Sequence, residues 1–299
     1  MRIISFNANG LRSAARKGFF AWFARQKADV LCVQELKAQA KQLTDPVLSV
    51  RGFQRLIFPA RRPGYSGVGI YARVAPHKVV AGLDVAEFDD EGRYLEAHFD
   101  SLVVVSTYFP SGSAGPARQE AKFRFLAAFE QRLAMLKARR VPYVFCGDFN
   151  IAHKQIDLKN WRALQNYPGF TPPERAWMDA LFGEHGYFDA FRVINQQPDQ
   201  YTWWSNRGRA WEKNVGWRID YQVVSPELAS TVRRVAVYKR NRFSDHAPLI
   251  IDYDWALEAA SDGAASGAEV DLSPDHGATT SNNSMPGTAT AAQIRKKLK

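Results

Sequence analysis

An α/β fold in which two mixed β-sheets pack face to face, with helices on their outer sides, is predicted by three features of the sequence. Short apolar runs with strand character outnumber segments of helical periodicity. Several of those runs follow one another with no helix between them. Most end at a polar or acidic residue. A doubly wound parallel sheet, which needs a helix at each crossover, fits this order poorly.

Ile3–Phe6 is an apolar strand that ends at Asn7. Lys17–Lys27 is expected to be helical, and Val30–Gln34 (VLCVQ) is a strand that stops at Glu35. Tyr94–Phe99 alternates, with Leu95, Ala97 and Phe99 on one face, the pattern of a half-buried strand. Leu102–Phe109 forms the next strand, carrying Tyr108 near its end. Leu126, Phe129, Leu133 and Leu136 recur at spacings of three and four, which places an apolar stripe on a helix from about Ala117 to Lys137. Tyr143–Gly147 leads into Asp148, and Pro173–Glu184 reads as a helix with proline in its first turn. Ile219–Val224 follows Arg218, and Pro248–Tyr253 follows His246; both read as strands.

Composition bounds the class. With 299 residues, 46% hydrophobic and 13% aromatic, the chain buries a sizeable core and is not a disordered protein. Cys32 and Cys146 both lie within apolar runs, which suits core residues of a reduced compartment and excludes a disulfide framework or a cysteine-rich zinc site. The opening MRIISFNANGLR lacks the apolar stretch of a signal peptide, and no run approaches membrane-spanning length, so a cytoplasmic protein with no membrane partner is expected. After Trp255 the chain turns to Ala, Ser, Gly and Thr without a single aromatic. A folded domain over 1–255 is therefore expected, followed over 256–299 by a flexible low-complexity tail with a basic end. The net charge is +10, and residues 1–255 hold 36 basic against 25 acidic side chains, so the positive charge belongs to the folded body and favours a polyanionic partner.

The polar residues at the strand ends carry the chemistry. Singly, each has an ordinary reading: Glu35 marks an exit to solvent, Gly147-Asp148-Phe149-Asn150 is a turn, and Tyr108 is a half-buried aromatic. Asp220, inside a strand pattern, is costly unless paired, and Asp245-His246 is a polar turn before an apolar strand. Together they meet the needs of phosphodiester hydrolysis: a hard divalent cation, an activated water and donors for developing charge. Glu35 and Asp245 are oxygen ligands suited to Mg²⁺ or Mn²⁺, with the Asn7 amide as a neutral helper. Asp148 can take a proton from water that Asn150 orients. His246 can contact a phosphate oxygen while Asp220 holds its tautomer, and the Tyr108 phenol completes the donor set.

The ordered set FNANGLR, VQELK, GYSGVG, YFP, GDFNIAH, GFTPPERAWMD, NVGWRIDY and SDHAP closely resembles the exonuclease III family of DNA repair nucleases, from about Arg2 to Asp254. That resemblance implies the four-layered α/β sandwich shared with deoxyribonuclease I. It also implies Mg²⁺-dependent cleavage of duplex DNA at abasic sites, with 3′→5′ exonuclease, 3′-phosphatase and 3′-phosphodiesterase activities, by a monomer. Carried over by motif, Glu35 matches the chief metal ligand, with Asn7 and Asp245 near the ion. Asp148 matches the residue assigned to water activation or to protonating the leaving group, and Asn150 its orienting partner. Tyr108 matches a residue near the scissile phosphate, and Asp220 with His246 the coupled pair. A second ion would involve Asp148, Asn150 and His246.

For the substrate, the resemblance implies that Trp203, Trp217 and Ile219 line a small apolar pocket for a flipped-out abasic sugar. It places Arg207 and Arg209 on a loop entering a DNA groove, and Lys37, Tyr65 and Arg93 at the DNA backbone. Two departures bear on the balance of activities. Ser111 stands where the family often has an amide, and Tyr167-Pro168 where it often has Asn and a small residue. The competing readings are an inositol-phosphate or phospholipid phosphodiesterase of the same superfamily, and a noncatalytic DNA-binding scaffold. The tryptophans and the arginine loop argue against the first, and the filled catalytic positions argue against the second.

Overall fold

The computed structural model describes residues 1–139, 141–258 and 270–272. Its strands, in chain order, are β1 (Arg2–Asn7), β2 (Val30–Gln34), β3 (Gln54–Phe58), β4 (Val68–Ala72), β5 (Lys78–Ala81), β6 (Tyr94–Phe99), β7 (Leu102–Tyr108) and β8 (Tyr143–Asp148). They continue with β9 (Phe188–Asp189), β10 (Trp203–Trp204), β11 (Gly216–Trp217), β12 (Asp220–Val224), β13 (Val232–Val237), β14 (Leu249–Tyr253) and β15 (Val270–Asp271). One sheet runs in the order β13-β14-β1-β2-β4-β3-β15, the other β5-β6-β7-β8-β12-β9, and β10 with β11 forms a separate ribbon.

Both sheets are mixed, and the reason lies in the connections. β1 and β2 are parallel because two short helices, α1 (Leu11–Arg16) and α2 (Phe19–Phe23), carry the chain back between them. α3 (Ala86–Asp89) precedes β6. The long helix α4 (Pro116–Lys137) returns the chain between parallel β7 and β8. The pairs β1–β14, β2–β4, β6–β7 and β8–β12 are antiparallel.

Three apolar layers hold this together. Between the sheets, Ile3, Cys32, Ile70, Ala97, Val104 and Cys146 meet. On one outer face Ile4, Leu31 and Val33 pack on Phe19, Phe20, Trp22 and Phe23; on the other, Val103, Val105 and Phe145 pack on Phe125, Phe129 and Leu133 of α4. Each fully buried Ile, Leu, Val or Phe among them contributes about 2 kcal/mol. Four layers result, helix–sheet–sheet–helix, as expected, and the central strands read as unbroken apolar runs because both their faces are covered. Among the described residues no helix is long and apolar enough to cross a membrane.

Some expectations need revision. The helix expected over Lys17–Lys27 is shorter and is separated from α1 by Gly18, whose φ of 84° suits glycine. Tyr94–Phe99 is buried on both faces rather than half-buried, because α4 covers its second face and Arg132 reaches down to Glu96. The proline-started helix is α5 (Pro172–Phe182), with Thr171 and Glu174 forming a capping box. Two further short helices are α6 (Ala190–Ile194) and α7 (Pro226–Ala229). Of the segment expected to be a flexible tail, 259–269 and 273–299 lie outside the described residues, while Val270–Asp271 pair with β3 as a parallel edge strand.

The topology brings functional positions to one end. Parallel pairing sets Tyr108 beside Asp148, the antiparallel neighbour places Asp220 opposite Asp148, and in the other sheet Asn7 pairs with Gln34, next to Glu35.

Candidate active site

Residues directly opposite on neighbouring strands project to the same face. Asp148, the last residue of β8, and Asp220, the first of β12, are such a pair. His246, on the turn before β14, completes a triad: its Nδ1 lies 2.9 Å from Asp220 Oδ2, and its Nε2 lies 3.8 Å from Asp148 Oδ2. Burial favours a neutral ring, but the charge and hydrogen bond of Asp220, with help from Asp148 and Asp245, push the imidazole up to about 10. His246 is therefore a cation at neutral pH, donating through Nδ1 to Asp220 and presenting Nε2–H beside Asp148.

Asp148 has the opposite problem. It is 2% exposed, and it accepts hydrogen bonds from amides: Asn7 Nδ2 at 2.9 Å, the Asn150 backbone N–H at 2.8 Å and Asn150 Nδ2 at 3.3 Å. Burial raises its pKa, His246 opposes, and the charges of Asp220 and Glu35 reinforce burial, leaving it at about 7. Asn150 is fixed in turn by donation to the Phe109 carbonyl at 2.9 Å.

Glu35 lies just beyond β2 and accepts from the Tyr108 hydroxyl. Burial and the nearby Glu35 charge keep that phenol protonated, well above its ordinary range. Lys37 Nζ stands 3.2 Å from Glu35 Oε2 and also donates to Asn9 Oδ1, while Asn9 Nδ2 donates to Asp245 Oδ1 at 2.8 Å. Asp245 is held below the usual carboxylate range: burial works against this, but His246 and donors from Asn9, Ser244 and Trp203 outweigh it. Asn9 did not figure among the expected site residues. The signal available was its repetition of Asn7 two positions on, in FNANG.

Asn9, Glu35, Lys37 and Asn150 all adopt left-handed backbone, with φ of 43°, 53°, 48° and 52°. Asparagine tolerates this; for Glu35 and Lys37 the cost is about 1–2 kcal/mol each. Backbone hydrogen bonds from Gly10 N to the Glu35 carbonyl and from Lys37 N to the Ser66 carbonyl hold the strained turn.

The donors suit a hard cation. Glu35, Asp245 and Asn7 offer oxygen atoms on the wall of one cavity of about 290 Å³. Asp148, Asp220 and His246 each offer a ligand atom within 4.8 Å of the others, so this group could also hold a metal. His246 Nδ1 and Asp220 Oδ2 are engaged with each other, and Asp220 Oδ1 is buried with no hydrogen-bond partner among the described residues.

The same cavity has an apolar side. Trp203 and Trp217 face each other across the β10–β11 ribbon, ring centroids 6.4 Å apart and nearly perpendicular, with Ile219 beside them. Trp203 Nε1 donates to Asp245 Oδ2 at 3.2 Å, tying this pocket to the carboxylate side. Tyr167 and Pro168 form the rim; Tyr167 is 48% exposed and its ring lies 6.1 Å from Trp217. Ser111 also lines the cavity.

The expected DNA-contacting residues divide. Arg207 and Arg209 are exposed on the β10–β11 loop, Arg209 paired with Glu212. Lys37 Nζ sits against Glu35 and Asn9 and lines the same cavity. Arg93 departs from expectation: it is 2% exposed, and its guanidinium is taken by Glu91, the Tyr65 hydroxyl and the Tyr108 carbonyl. So placed, 4.8 Å from the Tyr108 ring, it holds Tyr108 in place and does not offer a charge to solvent. The Tyr65 hydroxyl sits between Arg93 and Arg118.

Residues 4–246 match the model of the endonuclease/exonuclease/phosphatase family. The chain is 35% identical over 253 residues to an exodeoxyribonuclease of Bacillus subtilis, covering 83% of this chain and 98% of that protein. Among solved structures it is similar to an AP endonuclease from Archaeoglobus fulgidus, with a TM-score of 0.79 and 28% identity over 85% of this chain and all of that one. It is also similar to a 3′ phosphatase from Neisseria bound to product DNA hairpin, with a TM-score of 0.78 and 27% identity over the same shares.

Proposed function

Because the chain belongs to the endonuclease/exonuclease/phosphatase family, we propose that it is a Mg²⁺-dependent DNA repair phosphodiesterase that cuts duplex DNA on the 5′ side of abasic sites and processes 3′ ends. The observation that carries this reading is one cavity with two walls. On one stand Glu35, Asp148, Asp245 and His246; on the other, Trp203, Trp217 and Ile219. A catalytic wall alone serves any phosphate ester. The apolar wall and the exposed Arg207–Arg209 loop favour a polyanion with a sugar lacking its base over an inositol or lipid headgroup.

In this reading the geometry supports the following roles. Asp148, poised near neutral pKa, accepts the proton of the attacking water, which the Asn150 amide orients. Cationic His246 binds a nonbridging phosphate oxygen through Nε2–H, and Asp220 keeps that nitrogen protonated. Tyr108 stays neutral and donates beside the phosphate. Glu35, Asp245 and Asn7 would hold the divalent cation, and when bound, Mg²⁺ or Mn²⁺ would supply Lewis-acid stabilisation of charge on the phosphate oxygens. The protein acts as a monomer, and Tyr167 at the pocket mouth weights incision against 3′-end processing.

The test is incubation with a duplex carrying one abasic analogue and, separately, a duplex with a 3′-phosphate end, each with Mg²⁺ or EDTA. Cleavage 5′ of the lesion or release of phosphate, abolished by EDTA, is expected. Inertness toward both duplexes in Mg²⁺ and Mn²⁺ overturns the proposal.

A further inference from the structure

Behind the catalytic wall, among the described residues, lies an ion pair whose two side chains are withdrawn wholly from water. Lys122 of α4 and Glu174 in the first turn of α5 have side chains that are 0% exposed, with Nζ 2.5 Å from Oε1. Such a pair adds little net stability, since desolvation offsets the attraction. Its effect must lie in what it orients. Lys122 Nζ also donates to the Asn150 carbonyl at 2.7 Å, at the residue whose left-handed backbone turns its amide toward Asp148. Glu174 accepts from Gly169 N, Thr171 N and Thr171 Oγ1 at 2.7–3.0 Å, tying down the segment that follows Tyr167 and Pro168. The two anchored segments touch: at Gly169, with φ of +94°, a Cβ would meet the Asn150 carbonyl at 3.0 Å and the Trp217 ring at 3.3 Å.

We infer that Lys122 and Glu174 are positioning residues, a buried clamp that sets the Asn150 amide against Asp148 and fixes the pocket rim by the same contact. The inference rests on the assignment of Asp148 and Asn150 to water activation. It adds that the rim and the catalytic turn are mechanically one unit, so a change in either charge of the clamp is felt at the reacting water and not in overall affinity.

The test is a double-mutant cycle on the 3′-phosphate duplex. Lys122→Met with Glu174→Gln removes both charges while keeping much of the volume, and its near-ultraviolet circular dichroism and Tm establish that it is folded. We expect kcat to fall about 30-fold, the scale of a small misplacement of a reacting group, with KM changed less than about threefold. In an Asn150→Ala background the same pair of changes should lower kcat by less than about threefold, because the group it positions is gone. Undiminished kcat in the folded variant, or an equal loss in both backgrounds, overturns the clamp. Should the double variant not fold, Glu174→Gln alone is carried through the same cycle with the same criteria. A readout free of turnover separates this from failure of the proposed activity. The Asn150 side-chain amide resonances, identified by their loss in Asn150→Ala, should exchange slowly with solvent in the parent and rapidly in the clamp variants. Equal exchange in both overturns the inference even if the parent protein cleaves nothing.

Discussion

Glu96 and Asp148 are buried carboxylates on one sheet, in β6 and β8, and they have opposite fates. Glu96 is met by the Tyr94 hydroxyl, by His98 at 2.7 Å and by Arg132 at 2.8 Å. Burial alone would raise its pKa, but those hydrogen bonds and the Arg132 charge hold it below the ordinary range. Asp148 is met by amides, with its imidazole neighbour 3.8 Å away and two further carboxylates nearby, and it rises to about 7. The same desolvation is outweighed at Glu96, where charged and hydroxyl partners are complete, and prevails at Asp148, where they fall short. Environment, not burial, separates the two carboxylates.

The largest effect that tests this contrast is on turnover. Asp148→Asn is expected to lower kcat by about 10²–10⁴-fold while duplex binding survives, since it removes the acceptor and little of the contact surface. Single-turnover cleavage beside a binding titration checks it, and activity near that of the parent would reverse the assignment. Next comes stability at the other carboxylate. Glu96→Gln leaves Arg132 without its buried counter-charge and is expected to cost about 3 kcal/mol in urea unfolding, with kcat of the folded fraction unchanged. A loss below about 0.5 kcal/mol would mean that Glu96 is no better satisfied than Asp148. The smallest effect has the opposite sign. The folded-state pKa of Asp148, about 7, lies above its ordinary value of 3.8, so its contribution to stability is lost as pH rises from about 4 through 7. Asp148→Asn removes that penalty but also an attraction for His246, leaving a net gain of about 1 kcal/mol at pH 8 that vanishes below pH 4. Melting curves at the two pH values decide it; a variant that melts lower at pH 8 refutes the account.

Much of the candidate site was legible because its polar groups stand where apolar runs stop. Asn7, Glu35, Tyr108, Asp148 and Asp220 all mark strand ends, and the two-sheet architecture that gathers them follows from the order of the runs. What escaped were side chains whose direction depends on tertiary packing. Arg93, one residue before β6, has nothing in its sequence context to distinguish an inward guanidinium from a solvated one. Lys122 did leave a trace: it falls on the same helical stripe as Leu126, Phe129 and Leu133, a charged residue where an apolar one is expected. β3, β4, β5 and β13 were missed as well; β13 is an edge strand with two exposed arginines, so its pattern is only partly apolar.

Asp148 and Asp220 meet only because β8 and β12 are paired in one particular frame. Side chains alternate sides along a strand, so a slip of a single position would carry Asp220 to the opposite face and strand His246 without its anchor. Such a misaligned molecule would keep much of its secondary structure and would pass a far-ultraviolet spectrum unremarked. Specific activity is consequently a finer gauge of correct assembly for this protein than its secondary-structure content.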